Sequence, residues 1–294
     1  MDKTQWKSGI CSGLLERFHW AVGLDIGHFA ATRQDRDRYH PRMTVPLLLL
    51  ITAIVTFGAA VQAAIGFGAG MIAIPLLIWA GLPLEHALGV MGATVAGQLT
   101  FKVVTYWKLI DWKLVLWPMT AARAIGMVPG FLILYWLAGS TPAVVKQAVG
   151  GAVLLALVMQ VGFRVKPREH LAQGWAWLSG FLSGLIGAAV GMGGPPTVLW
   201  VLAHDWPSQQ ARLFLWANFW VLTPVYLGTL VCMFGFTELK YMGIGVVTLP
   251  VVLLGTAAGL WIGHRIPKQQ LRWAMIGLLA VLGVVSVFGP MLGG

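Results

Sequence analysis

The sequence predicts an all-α polytopic membrane protein made of two repeats of membrane helices. Composition, the lengths of the apolar runs and a pair of glycine-rich breaks in corresponding places carry that reading. Of 294 residues, 58% are hydrophobic and only 10% are charged. Mean hydropathy is +0.78. A soluble domain carries about 25% charged residues, so the surface of a soluble fold this size would need far more charge. Lipid is therefore the solvent for most of the chain. The same composition excludes disorder, a coiled coil and a disulfide-stapled secreted domain. Cys11 and Cys232 stand alone, with no CxxC and no His/Cys cluster, which supports neither a disulfide framework nor a zinc site. No cofactor or metal is expected.

Residues 1–44 form the only long polar stretch, ending in a charge-dense run from Arg33 to Arg42. They lack the apolar run and small-residue cleavage site of a secretory signal. An interfacial helix followed by a basic, cytoplasmic juxtamembrane segment fits them better. From Val45 the chain becomes a series of apolar runs: Val45–Ile65, Met71–Trp79, Ala87–Trp107, Leu114–Leu137, Ala143–Phe163, Trp175–Val190, Thr197–Ala203, Arg212–Phe234, Met242–Gly263 and Leu271–Phe288. Crossing the ~30 Å hydrocarbon layer takes about 20 apolar residues in a helix. Eight to ten membrane segments are expected. Met71–Trp79 and Thr197–Ala203 are too short to cross, and each follows a glycine cluster.

An internal repeat is visible. Ala64-Ile65-Gly66-Phe67-Gly68-Ala69-Gly70 aligns with Ala189-Val190-Gly191-Met192-Gly193-Gly194-Pro195 at an offset of 125 residues. Leu82-Pro83 then falls near Trp206-Pro207, Asp111 near Glu238, and Gly126 and Gly130 on Gly255 and Gly259. Each half reads as a long run, a glycine break, a short run and three long runs. The division is a first membrane repeat over 45–163, a polar linker over 164–173 and a second repeat over 174–294.

Net charge is +10, and from Val45 onward thirteen basic residues face five acids. Excess Lys and Arg in cytoplasmic loops accounts for this; so does a protein that handles anions. The N-terminal segment, Arg164–Arg168 and Arg265–Arg272 all look cytoplasmic by charge. Equivalent halves could not all obey that rule.

The breaks point to chemistry. Unpaired backbone in hydrocarbon costs several kcal/mol per group, so broken helices occur only where protein or a water-filled cavity satisfies them. Gly66, Gly68 and Gly70 in the first break, and Gly191, Gly193 and Gly194 in the second, permit sharp turns. Pro195 and Pro196 suit the first turn of a new helix. Each short helix would begin with free N–H groups and a positive dipole end, the geometry that binds anions. Paired interrupted segments in corresponding positions point to a transporter site; tight packing through small residues is the alternative.

Arg123 lies inside a run otherwise free of charge, where a charge costs about 2.5–3.5 kcal/mol. An anionic substrate could be its partner; snorkelling to an interface is the other reading. Arg212 opens the run after the second break, as countercharge or as an interfacial anchor. Gln62, Gln98, Thr94, Thr197 and Asn218 supply neutral donors near the breaks, or helix–helix glue. No acid lies in the middle of a run, so no carboxylate relay of the pump kind is visible. His86 and His204, at run ends, are the titratable candidates if proton coupling exists. No GxSxG, HExxH or P-loop motif occurs, and a non-enzyme is expected.

Gln62-Ala63-Ala64-Ile65-Gly66-Phe67-Gly68 with Pro75, then Gly184-Leu185-Ile186-Gly187 and Gly191-Met192-Gly193-Gly194-Pro195-Pro196 followed by Arg212, resemble the TauE/SafE family of membrane transporters, named for sulfite and organosulfonate export. The resemblance runs from Val45 to the C-terminus and leaves out the polar N-terminal segment. It implies two repeats whose motifs meet at the centre, and substrates such as sulfite, sulfoacetate or related sulfur oxyanions. The expected function is a secondary transporter that exports such an anion across a bacterial inner membrane by alternating access. An anion channel or a sulfonate uptake permease is the alternative. The expected partners are the anion and the bilayer, with no nucleic acid; a homodimer is left open.

Overall fold

The computed structural model describes residues 43–65, 68–162, 171–266 and 268–292. The N-terminal segment, Gly66 and most of the linker lie outside them. The first half runs α1 (Val45–Ile65), α2 (Ala69–Trp79), α3 (Leu84–Tyr106), α4 (Trp112–Val115), α5 (Ala121–Ala138) and α6 (Pro142–Gly162). The second runs α7 (Gln173–Val190), α8 (Gly194–Leu202), α9 (Ser208–Phe234), α10 (Glu238–Val247), α11 (Leu249–Arg265) and α12 (Lys268–Leu292).

The breaks fall where glycine permits them. Gly68 (φ 103°) precedes α2, and Gly191 (φ 72°) ends α7. Both lie in the left-handed region that side chains with a Cβ avoid. Asp111 caps α4 by accepting the Leu114 N–H at 3.2 Å. Extended backbone at Trp117, before Pro118, separates α4 from α5, because proline cannot continue the helical ladder. α10 and α11 meet at a 49° bend, with Pro250 in the first turn of α11.

Among the described residues, six helices are long and apolar enough to cross a membrane, or seven if the bent α10–α11 pair is one span. This is fewer than the eight to ten segments expected. α2 and α8 are too short, and α7, at 18 residues, is diluted by glycine and serine. Leu49, Phe101, Trp136, Val158, Val247 and Leu254 face outward and are strongly exposed. A soluble monomer rarely carries so broad an apolar surface, whereas lipid covers it without cost. The chain is a multi-pass membrane protein.

Packing crosses between the halves. α5 lies on α7 and α11 lies on α1, while α6 pairs with α12 and α3 with α9 and α10. The first two crossings are glycine contacts of one kind. A Cβ at Gly126 or Gly130 would land on the carbonyl of Phe181 or Leu185, and one at Gly255 or Gly259 on Thr56 or on the carbonyl of Ala60. The partner residues differ by 125 positions and the glycines by 129. Small residues let backbones approach this closely where lipid offers no hydrophobic drive between helices.

Candidate functional site

The two breaks touch. A Cβ at Gly70, in the first turn of α2, would stand 2.8 Å from the Gly191 carbonyl oxygen. Ile74 of α2 and Leu88 of α3 fill the space beside Gly191. Gly68 faces the Met275 sulfur of α12, and a Cβ there would stand 3.7 Å away. Five elements therefore converge on one region: α2, α3, α7, α8 and α12.

Serines on α7 hold the start of α8. Ser183 donates to the Gly193 carbonyl at 2.6 Å, and Thr197 donates to Ser183 at 2.8 Å. Ser179 donates to the Pro196 carbonyl. Ser183 and Thr197 are fully buried, so the Thr197 hydroxyl is committed to holding the break in shape. Pro195 and Pro196 have no N–H, which leaves Gly193, Gly194 and Thr197 as the amides of this stretch. The Gly194 face is open, since a Cβ there meets nothing within 4 Å.

Arg123 on α5 reaches this break. A Cβ at Gly187 would stand 4.0 Å from Arg123 Nη2 and 3.3 Å from Gly193 Cα, so the guanidinium and the head of α8 share one face of α7. Arg123 Nη1 donates to the Asn218 side-chain oxygen at 3.2 Å and to its backbone carbonyl at 3.3 Å. Its guanidinium lies 4.1 Å from the centroid of the Phe219 ring. Asn218 is fully buried and donates in turn to Thr120 at 2.7 Å. Thr120 donates to the Val115 carbonyl at 2.6 Å, across the α4–α5 break. Nε of Arg123 is buried without a hydrogen-bond partner, and no carboxylate among the described residues pairs with the side chain. A neutral amide and an aromatic face thus orient a cation whose charge no described carboxylate neutralises.

None of the other predicted residues hydrogen-bonds to Arg123, Asn218 or Ser183 among the described residues. Gln62, in the last turn of α1, and buried Gln98 on α3 make no hydrogen bond among the described residues. Thr94 donates to the carbonyls of Val90 and Gly245, joining α3 to α10. Arg212 is exposed in the first turns of α9. His204 follows α8, with its ring 4.2 Å from Trp200 and 4.4 Å from Trp206. Its Nδ1 lies 2.9 Å from the Trp200 carbonyl; a carbonyl only accepts, so that nitrogen carries the proton. His86 is buried against Glu238, Nδ1 to Oε1 at 2.6 Å. Sequence reasoning missed Ser183, Thr120 and Glu238. Ser183 and Thr120 are ordinary neutral residues in helical runs; Glu238 was visible only as the counterpart of Asp111.

Among the described residues, cavities open to the outside at two places away from the breaks. One of about 390 Å³ lies between the starts of α4 and α9 and is lined by Asp111, Leu114, Pro207, Gln209 and Gln210. The other, of about 350 Å³, lies against Trp79, Lys146 and Pro290. Neither is lined by a residue of either break. Among the described residues, no group of three or more His, Cys, Asp or Glu side chains could hold a metal.

Substituting Gly191 and Gly194 separates the two kinds of glycine. Gly191→Ala is expected to lower thermal stability in detergent, by about 1–2 kcal/mol for the left-handed backbone alone, with more from the overlap with Ile74 and Leu88. Gly194→Ala is expected to leave the melting temperature unchanged but to raise the substrate concentration for half-maximal flux, because its methyl enters the open face. Thermal melts and concentration-dependent flux measure both.

The family model for the sulfite exporter TauE/SafE matches residues 48–286. A protein of Cupriavidus necator named "Probable sulfite/organosulfonate exporter TauE" is 27% identical over 184 residues, covering 60% of this chain and 70% of that protein. No solved structure matches. With the model spanning most of its length, the chain belongs to the TauE/SafE family of sulfite exporters.

Proposed function

We propose that the chain is a secondary transporter that exports a small sulfur oxyanion, sulfite or an organosulfonate such as sulfoacetate, across the bacterial inner membrane. The observation that carries this is Arg123: a guanidinium beside the head of α8 that no described carboxylate pairs with, and whose buried Nε has no partner among the described residues. A helix N-terminus and a guanidinium on one face both favour an oxyanion. In this reading the amides of Gly68, Gly70, Gly193, Gly194 and Thr197 would donate to the anion's oxygens, with Asn218 setting the orientation of Arg123.

Alternating access is supported by the packing. The repeated glycine crossings, and the pairing of α6 with α12 and of α3 with α9, fit two halves, 45–163 and 174–294, related by an approximate two-fold axis. Elements that contact their own counterparts lie on such an axis. One half would rock against the other around the contact of the breaks, with the N-terminus cytoplasmic.

The test is a flux panel with purified protein in vesicles: sulfite, thiosulfate, sulfoacetate, taurine and sulfate. Saturable flux and counterflow of sulfite or sulfoacetate support a carrier. Non-saturating flux without counterflow supports a channel, and no flux of any of the five overturns the reading.

A further inference from the structure

His86 stands in the first turn of α3, 4% exposed, and Glu238 opens α10, 0% exposed. The imidazole Nδ1 donates to Oε1 across 2.6 Å, while Oε2 is buried with no hydrogen-bond partner. Tyr241, one turn further along α10, stacks on the imidazole with centroids 3.7 Å apart and planes 10° apart. Buried carboxylate oxygens in folded proteins are almost always satisfied, and a buried carboxylate is costly unless it is well paired. The uncovered Oε2 leaves a buried charge that His86 only partly offsets.

The couple is joined to the anion site by packing. Leu88, two residues beyond His86, fills the space beside Gly191 at the second break. Tyr226 of α9 packs on Gly92 of α3, where a Cβ would stand 3.2 Å from its ring. The other titratable groups nearby are Glu85, buried in the same turn of α3, and Lys240, exposed on α10; α2 brings none. At the corresponding place in the other half, where α9 and α4 begin, neutral Gln209 and Gln210 face Asp111 across an open cavity of about 390 Å³. Only one half carries a histidine–carboxylate couple there.

We propose that the His86–Glu238 couple is the site where one proton is bound and released in each transport cycle, coupling anion movement to a proton. This rests on the transporter reading above. Binding turns a neutral imidazole beside a carboxylate into an imidazolium–carboxylate pair. Release returns the proton to solvent and leaves the Glu238 charge without a cation. Histidine is the side chain suited to this between about pH 5 and 8.

The test uses the full chain in vesicles loaded with sulfite. Exchange of labelled for unlabelled sulfite at equal pH reports the carrier, and net flux under an imposed pH gradient reports coupling. Parent and variants meet the same protonation equilibrium of sulfite, so any difference between them belongs to the protein. His86→Gln and Glu238→Gln are expected to keep exchange within about twofold and to lose the gradient-driven acceleration, a change of tenfold or more. If acceleration persists in both variants, or the parent shows exchange without it, the proposal is overturned. If the single variants lose exchange as well, the double variant H86Q/E238Q restores a neutral hydrogen-bonded pair. Exchange without acceleration in the double variant supports the proposal; any other result overturns it. A parent without exchange of sulfite refutes the transporter reading itself, a separate failure.

Discussion

Arg123→Gln reconstituted into vesicles is expected to carry sulfite or sulfoacetate at least tenfold more slowly than the parent. A hydrogen bond to a charged group contributes about 1.5–3 kcal/mol, and about 1.4 kcal/mol is a factor of ten. The loss should therefore lie between about 10- and 150-fold. The bonds from Asn218 to Thr120 and from Thr120 to Val115 across the α4–α5 break do not involve residue 123 and survive the substitution. The variant should elute as a single species with an unchanged melting temperature. Arg212→Ala is the control: Arg212 is exposed and makes no hydrogen bond to Arg123 or Asn218, so its flux should stay within about twofold. Flux at the parental rate in Arg123→Gln would show that the guanidinium is not the countercharge.

Gly184→Ala is expected to lose most of the folded protein. A methyl there lands on the Arg123 carbonyl, where α5 crosses α7, and also crowds the Met127 amide at 2.9 Å. Both obstacles are backbone, so the helices must separate. Overpacking costs about 1–3 kcal/mol even where side chains can shift, and here they cannot relieve it. Gly259→Ala, against the Ala60 carbonyl in the crossing of α11 on α1, should behave alike. Gly151→Ala on α6, where a methyl meets nothing within 4 Å, should be neutral or stabilise by about 0.5–1 kcal/mol through helix propensity. Melting curves in detergent rank the three. Equal behaviour of Gly184→Ala and Gly151→Ala would refute the close crossing.

Much of the fold could be read from the residues, because lipid makes apolar length nearly equivalent to a span. The short runs emerged as α2 and α8, and glycine in the left-handed region at 68 and 191 marks both breaks. The number of spans was less legible, since glycine and serine dilute α7 and a proline bend divides α10 from α11. Arg123 announced itself as a lone charge in an apolar run. Asn218 was legible only as a polar residue, because its value lies in facing Arg123 across 95 positions of sequence. The burial of Glu238 was hidden for the same reason: a carboxylate at a run end looks solvated until α3 covers it. Gln62, Gln98 and Arg212 were chosen by nearness in sequence, and none of them hydrogen-bonds to Arg123 or Asn218 among the described residues.

The exchange of partners between halves has a consequence for how the molecule is made. Of the described helices α1 leaves the ribosome first, yet the helix whose glycines fit against its Thr56, Ala60 and Ala64 is α11, the last but one of them. Until then this stripe of α1 must rest against lipid or some temporary neighbour. The fold is thus closed late, like a buckle, and synthesis cut short before α11 would strand an unfinished half in the bilayer.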